Sequence, residues 1–340
     1  MDRDIILKLA QACFSSNPAI ILGSGASMPH GLPSMGELQK YLTDKVVPDV
    51  GEEKDAWSQV CTALDSGDHL EKAMDGKNLP QKLTRKIVEM TWECVNKSDY
   101  DLFIKSIKRI EEFPLGKLLQ KLSATCNQKI DVITPNYDRV VEYACNVHGL
   151  LYSVGFTPGY IQWREGSEPI KYNKNNRNLK IVRIWKVHGS LDWFACGDKE
   201  AFSVPVFKIP TQDAMPLIVT PGLRKFESTQ YEPFRSIMTG ADAVFESANG
   251  FICVGFGFRD SHIVPKLLQR CRTGIAPVAV IARTLTDEAK NFLRNNAGQK
   301  YIGLEESGSG TRAFTAQTPD GVELDGMDLW SLGGFLTSVT

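Results

Sequence analysis

The sequence contains eight cysteines but lacks any Cys-x-x-C pair. Paired cysteines at that spacing build zinc ribbons, so we predict neither a zinc ribbon nor any other bound metal. Long apolar runs are also missing and the first residues are charged, which argues against a membrane-spanning helix and a secretion signal. We therefore expect a cytoplasmic protein whose scattered cysteines are reduced and mostly buried.

An excess of charge is missing too, since 39 Lys and Arg residues nearly balance 40 Asp and Glu residues. A net charge of −1 gives no general attraction to nucleic acid or to a membrane, and we expect contact with neither. One stretch departs from this balance and contains six cations without an acid: Lys171, Lys174, Arg177, Lys180, Arg183 and Lys186. Such stretches are mostly solvated faces, and the alternative is a contact with a protein or nucleic acid.

Strand-like and helix-like segments alternate along the 340 residues, of which 42% are hydrophobic. Short apolar runs predict strands at 19–22, 129–134, 182–187, 217–220, 250–255 and 277–282. With helices between them, these strands predict an α/β fold, in which a Rossmann-like parallel sheet is flanked by helices. We expect a single domain over residues 1–340.

Two segments of that domain are predicted to be insertions. Residues 46–125 form a helical insertion, a candidate for gating or oligomer contacts, and residues 150–216 a small one rich in loops and short strands. Within the first, the spacing of apolar residues predicts one helix through Leu83–Cys94 and a separate helix over 100–112.

A glycine-rich turn, Gly23-Ser24-Gly25-Ala26-Ser27, directly follows the first predicted strand. Backbone amides at such a turn bind phosphate, and glycine lets the backbone approach a pyrophosphate closely. The dinucleotide fingerprint Gly-x-Gly-x-x-Gly is incomplete, because Met28 occupies its sixth position. A tight turn without a ligand is therefore the alternative.

Asn136 and Asp138 follow the second predicted strand. Ligands of open α/β sheets bind at the carboxyl ends of strands, so both side chains are candidates for a binding site. The Asn136 amide can both donate and accept hydrogen bonds, which suits a ribose hydroxyl or a water. Capping the following helix is the alternative, and Asp138 is the better candidate for that role.

His188, one of only five histidines, follows a strand-like run and precedes Gly189-Ser190. Its ring can project from the strand end into a cleft, where imidazole is the natural general base near neutral pH. Asp192 is a candidate for orienting this ring. Trp193 is a candidate for shielding it, although packing in the core is the more common role of a tryptophan.

A second glycine-rich turn, Gly255-Phe256-Gly257, repeats the order of strand, glycines and helix start. This turn is a candidate for holding the adenosine half of a dinucleotide. Asp260 follows it, and we expect this residue to cap the next helix rather than to bind a ribose.

In this order the motifs together resemble the sirtuin family. The family's Gly-Ala-Gly turn looks like Gly23–Ser27, its Gly-Ile-Pro like Gly31-Leu32-Pro33, its Asn-x-Asp like Asn136-Tyr137-Asp138, its catalytic His-Gly like His188-Gly189, and its adenosine turn like Gly255-Phe256-Gly257. Two departures distinguish the chain from deacylases of that family. The paired Cys-x-x-C of their zinc module is missing, and Ser34-Met35 replaces their Phe-Arg.

The chain is more similar to a bacterial sirtuin-like branch of antiphage defence, which lacks zinc and hydrolyses NAD⁺ to nicotinamide and ADP-ribose. The similar segments are Asn-Tyr-Asp at 136–138, His-Gly-Ser-Leu-Asp-Trp at 188–193 and Val-Gly-Phe-Gly-Phe-Arg-Asp at 254–260. Members of that branch often work beside a partner such as a HerA-type ATPase or an Argonaute. The resemblance thus implies an NADase that acts as a defence effector, and we expect a homo-oligomer.

The resemblance implies catalytic roles for Asn136, which would hold the ribose or a water, and for His188 as general base. It places NAD⁺, as the substrate, on these residues: Gly23, Ser24, Gly25, Ala26, Ser27, Pro33, Asp138, Gly255, Phe256 and Gly257. Three alternatives are a sensor that binds NAD⁺ or ADP-ribose without chemistry, an assembly module, and a protein deacylase.

Overall fold

A nine-stranded, mostly parallel sheet forms the centre of the protein. The computed structural model describes residues 3–125, 129–166, 171–220, 231–272, 274 and 276–339. In these residues the sheet is parallel except at one edge, where its last two strands along the chain run antiparallel to their neighbours. Helices flank this sheet, and the predicted α/β class with a parallel sheet is confirmed.

The elements follow one another along the chain with these bounds. The helices are α1 (Arg3–Ser15), α2 (Ser24–Ser27), α3 (Met35–Lys45), α4 (Glu52–Asp65), α5 (Leu70–Met74), α6 (Gln81–Ile107), α7 (Pro114–Ala124), α8 (Val140–Val147), α9 (Phe234–Ser247), α10 (Ile263–Cys271), α11 (Asp287–Asn296) and α12 (Leu332–Val339). The strands of the large sheet are β1 (Ala19–Leu22), β2 (Ile130–Thr134), β3 (Leu151–Ser153), β7 (Ile181–Lys186), β11 (Phe251–Val254), β12 (Val278–Ile281), β13 (Tyr301–Ser307), β14 (Gly310–Thr315) and β15 (Thr318–Leu324). The remaining strands are β4 (Gln162–Trp163), β5 (Asn173–Lys174), β6 (Arg177–Asn178), β8 (Gly189–Cys196), β9 (Phe202–Ser203) and β10 (Ala214–Ile218). Across the large sheet the strands lie in the order β15-β14-β13-β12-β11-β1-β2-β7-β3.

The three innermost strands of the sheet are short and apolar because both of their faces are covered. All residues of β1, β11 and β12 are buried. Helices pack on both faces of a parallel sheet, so a strand there reads as a continuous apolar run rather than an alternating one. Such runs made these strands recognisable in the sequence.

The chain reverses its direction across the sheet at β1. From β1 it proceeds to β2 on one side, and it later returns to place β11 on the other side of β1. A crevice forms outside the carboxyl ends of the strands at such a switch point, where loops depart in opposite directions. The turns after β1, β2 and β11 therefore meet at one edge of the sheet.

The segment 150–216, predicted as one small insertion, is divided among three sheets, the smallest of which is the antiparallel pair β5 and β6. Its strands β3 and β7 pair with each other and β7 with β2, so they belong to the large sheet. Strands β4, β8, β9 and β10 form a separate antiparallel sheet. The prediction of a parallel strand at 217–220 is thus wrong, since β10 pairs antiparallel with β8. The predicted end of that strand, Pro221-Gly222, lies outside the described residues.

The helical region contains one long helix where we predicted two. Helix α6 runs without interruption through the predicted gap before residue 100. No proline or glycine breaks this stretch, and its polar residues Asn96 and Asp99 are buried in tertiary contacts instead of marking a loop. The separate helix over 100–112 is therefore wrong, because α6 ends at Ile107.

No helix of the described residues is long and apolar enough to cross a membrane.

Candidate active site

A large cavity lies at the carboxyl edge of the parallel sheet. Its volume is about 1260 Å³. Pockets for small molecules usually measure roughly 300–1,000 Å³, so this one has room for a ligand larger than a mononucleotide. The predicted site residues all line it: Gly23, Ser24, Gly25, Ala26, Ser27, Pro33, Asn136, Asp138, His188, Gly255, Phe256 and Gly257.

The two glycine-rich turns pack directly on each other at the base of this cavity. The amide of Gly25 donates to the Gly255 carbonyl oxygen at 3.1 Å, and a Cβ on Gly23 would lie 2.3 Å from the same oxygen. A Cβ on Gly255, whose φ is +57°, would lie 2.2 Å from the Ala26 nitrogen. The close packing of backbone on backbone therefore requires glycine at these positions, whether or not a phosphate binds there. The sequence did not reveal this requirement.

Replacing Gly23 with alanine is expected to lower the free energy of unfolding by about 1–3 kcal/mol or more, because backbone atoms cannot give way as a flexible side chain can. The control is Gly36→Ala in helix α3. The nearest atom to the new Cβ would lie 4.0 Å away. Alanine favours the helix there, so this variant should keep or slightly increase stability. Equal unfolding midpoints in urea for the two variants would contradict the tight packing of the turns.

Asn136 connects the first turn to the end of β2. Its Nδ2 donates to the Gly23 carbonyl oxygen at 2.9 Å and to Ser27 Oγ at 3.0 Å. Both hydrogens of the amide group are therefore engaged, and the carbonyl oxygen Oδ1 is the atom left to face a ligand. The capping role that we gave as an alternative belongs to Asp138, whose Oδ1 accepts from the Val140 amide at 3.1 Å.

His188 lies between β7 and β8, with its ring in the wall of the cavity. The backbone is held by Val219, whose amide donates to the His188 carbonyl oxygen at 2.8 Å. Its Nε2 lies 3.1 Å from Asp260 Oδ2, and both side chains are less than a tenth exposed. The two atoms are at ion-pair distance, but they are not aligned as in a linear hydrogen bond. Asp260 was not recognised as a partner, because no sequence signal connects the two loops.

The residues that we expected beside His188 have other contacts. Asp192 Oδ1 accepts from Arg139 Nε at 2.6 Å, so its predicted role in orienting His188 is wrong. Trp193 is fully buried and its ring packs 5.2 Å from that of Phe156, which confirms the packing role. Neighbouring residues of β8 face opposite sides of its sheet. This alternation places Asp192 on the side of the helices, away from His188.

A buried charge cluster around Lys186 supports the floor of the site. Lys186 is fully buried, and its Nζ lies 3.0 Å from Glu142 Oε1 and donates to the carbonyl oxygen of Asp138. Burial raises the pKa of the Glu142 carboxyl to about 7, while the Lys186 ammonium opposes this shift. Burial also raises the pKa of Asp138, again against Lys186. Charged groups at this depth need partners, because an unpaired buried charge is strongly destabilising.

Only the second half of the basic stretch 171–186 departs from the expected solvated face. Besides the buried Lys186, Arg183 pairs with Asp131 at 2.6 Å and Lys180 donates to the Ser123 carbonyl oxygen at 2.8 Å. Lys171 and Lys174 are the exposed residues among its described cations. Arg183 and Lys186 lie on opposite faces of β7, because a strand places alternate residues on opposite faces, whereas Lys174 lies in the separate hairpin of β5 and β6.

Sequence reasoning also missed a polar pair on the far wall of the cavity. His30 Nδ1 lies 2.6 Å from Glu111 Oε1, and the His30 ring stacks on Phe113 with centroids 4.9 Å apart. Both residues of the pair line the cavity. They are far apart in the chain, and only the packing of the helical region onto the sheet brings them together.

Within the part of the chain that the structure describes, no group of three or more His, Cys, Asp or Glu residues could hold a metal ion. The polar groups of the cavity are instead amides, hydroxyls, carboxylates, two imidazoles and the guanidinium groups of Arg259 and Arg283. Such a set can position hydroxyl groups and accept a proton.

Among solved structures the chain is similar to Sir2 proteins at low identity. One, from work on the mechanism and regulation of Sir2 enzymes, is 17% identical over 84% of this chain and 89% of its own, with a TM-score of 0.43. A Sir2 homolog in complex with NAD is 14% identical over 89% of this chain and 88% of its own, with a TM-score of 0.46. Sir2Tm bound to a propionylated peptide is 14% identical over 84% of this chain and 89% of its own, with a TM-score of 0.41. No curated protein matches the chain.

The profile of one protein family also matches. It is that of the SIR2-like domain, and the match extends over residues 131–301, which is half of the chain. The matched region includes Asn136, His188 and the second glycine-rich turn. The chain therefore belongs to the family of SIR2-like domains.

Proposed function

We propose that this protein hydrolyses NAD⁺ to nicotinamide and ADP-ribose. The observation that carries the proposal is the meeting of Asn136, His188 and both glycine-rich turns in a single cavity at the switch point of the sheet. Membership in the SIR2-like family supports an NAD⁺-dependent activity. The cavity volume of about 1260 Å³ supports a dinucleotide as the ligand.

The chemistry requires little beyond positioning and a proton acceptor. The bond between the ribose C1′ and the nicotinamide nitrogen breaks, and its electron pair leaves with nicotinamide as a neutral pyridine. The ribose passes through an oxocarbenium-like state, as in other glycosidic cleavages. Water then bonds to C1′ and loses one proton, so that NAD⁺ and water yield nicotinamide, ADP-ribose and a proton. No general acid is needed, because the leaving group departs uncharged.

Each of the two proposed catalytic residues has a role that its contacts permit. Asn136 presents Oδ1 as an acceptor for a ribose hydroxyl or the water, since its Nδ2 is engaged by Gly23 and Ser27. His188 accepts the proton that the water releases. The glycine-rich turns hold the phosphates and the adenosine half of the substrate.

The purified chain, incubated with NAD⁺ and no acylated peptide, is expected to release nicotinamide and ADP-ribose in equal amounts. Chromatography of the products measures both. Tight calorimetric binding of NAD⁺ without any release would favour a sensor and overturn the hydrolase. Release only in the presence of an acyl-lysine peptide would favour a deacylase. The sequence lacks the paired cysteines of the zinc module and the Phe-Arg element that deacylases of the family contain.

We propose further that the activity serves antiphage defence by depleting NAD⁺, with the protein acting as a homo-oligomer beside a partner such as a HerA-type ATPase or an Argonaute. The support is the likeness of three segments, 136–138, 188–193 and 254–260, to that sirtuin-like branch. Cellular NAD⁺ should then fall after phage infection in bacteria that express the chain with its genomic neighbours. Constant NAD⁺ in cells that resist the phage would contradict this role.

A further inference from the structure

We propose that Asp260 is the positioning residue of His188 and determines which ring nitrogen carries the proton. This inference rests on the proposed hydrolase, in which His188 is the general base. Asp260 Oδ2 lies 3.1 Å from His188 Nε2, and the side chains are 8% and 7% exposed. At that distance, shielded from water, the carboxylate favours a hydrogen on Nε2.

The carboxylate is itself held in place by the start of a helix. Asp260 Oδ1 accepts from the amides of His262 and Ile263 at 2.9 and 2.8 Å, which confirms its predicted capping role at α10. One oxygen is thus anchored to the backbone while the other faces the imidazole. An anchored carboxylate orients a histidine better than a mobile one, because its own rotamer is locked.

The geometry assigns different tasks to the two nitrogens of His188. Nε2 is buried beside Asp260, so a hydrogen there leaves the lone pair on Nδ1 as the proton acceptor. When water attacks C1′, its proton passes to Nδ1, and the Asp260 carboxylate stabilises the positive ring. The imperfect alignment of Nε2 and Oδ2 is compatible with this role, because such bonds tighten when substrate binds.

The contact would also be explained if Asp260 were only a helix cap, and one substitution separates the two explanations. Asp260→Asn keeps a carbonyl oxygen for the amides of His262 and Ile263 but removes the negative charge. Asparagine caps helices about as well as aspartate, so stability should change little. The matched control is Asp328→Asn: Asp328 Oδ1 accepts from the Ser331 amide at 3.1 Å, and this residue does not line the cavity.

Asp260→Asn is expected to lower kcat for nicotinamide release by about 10²-fold, since orienting groups of this kind contribute between about 10-fold and 10⁴-fold. The KM for NAD⁺ should stay within about threefold, because Asp260 acts through His188. Asp328→Asn should match the wild type in both constants. A variant Asp260→Asn with wild-type kcat, or one with raised KM alone, would overturn the assignment.

The tautomer of His188 can be measured independently of NAD⁺ cleavage. Nitrogen-15 spectra of histidine-labelled protein distinguish a hydrogen on Nε2 from one on Nδ1, and comparison with His188→Gln identifies the signals among five histidines. We expect the Nε2–H form in the wild type and a mixture of both forms in Asp260→Asn. A wild-type ring with its hydrogen on Nδ1 would overturn the inference. A wild type that shows the Nε2–H form but cleaves no NAD⁺ would overturn the hydrolase and leave the positioning intact.

Discussion

His188→Ala is expected to lower the rate of nicotinamide release by about 10²–10⁴-fold, the usual contribution of a general base. The alanine removes the imidazole that lies beside Asp260, and with it the acceptor for the water's proton. Substrate contacts of the glycine-rich turns are unaffected, so the KM for NAD⁺ should change little. Initial rates over a range of NAD⁺ concentrations measure both constants.

His148→Ala is the matched control for this loss. His148 is a partly buried histidine at the C-terminal end of α8, and it does not line the cavity. We expect this variant to retain the wild-type rate. If His188→Ala kept full activity while folding normally, water would be attacking without this base and the proposed mechanism would be wrong.

Arg139→Met is expected to lower the free energy of unfolding by about 3–5 kcal/mol, the cost of removing one partner of a buried ion pair. Arg139 is 3% exposed and donates to Asp99 Oδ2 and Asp192 Oδ1, each at 2.6 Å. Asp99 is fully buried, and it also accepts from Tyr143 Oη. Methionine fills similar space but leaves two carboxylates near each other without a cation.

Arg85→Met is the control for the ion pair, because Arg85 pairs with Glu89 on the exposed side of α6. Surface pairs of this kind contribute about 0–1 kcal/mol, and its loss should be correspondingly small. Urea unfolding of both variants and the wild type measures the difference. Equal midpoints for the two variants would show that the Arg139 cluster adds no more than an exposed pair.

The site could be found from the sequence to the extent that its signals are local. Gly23 and Gly25 follow an apolar run, Asn136 follows another, and His188 follows a third. A short buried strand and the polar or glycine residue at its end are neighbours in the chain, so a single stretch of sequence contains the whole signal. Their meeting in one cavity followed once the strands were known to be parallel.

Contacts between distant segments were not predictable in the same way. Asp192, close to His188 in sequence, was the natural candidate for its partner, but it pairs with Arg139. Asp260 is the residue that lies beside the ring. The basic stretch ending at Lys186 was misread for the same reason, since the partner Glu142 lies on a different element.

The sequence by itself determined the α/β class, the positions of the inner strands and the residues that stand at their carboxyl ends. These features follow from burial on two faces and from turn chemistry, both of which act over a few neighbouring residues. The tertiary structure decided the rest: that the turns after β1 and β11 touch backbone to backbone, and that Asp260 faces His188. The physical reason is the strand order, which places β1 between β2 and β11 and so brings loops together that no spacing along the chain connects.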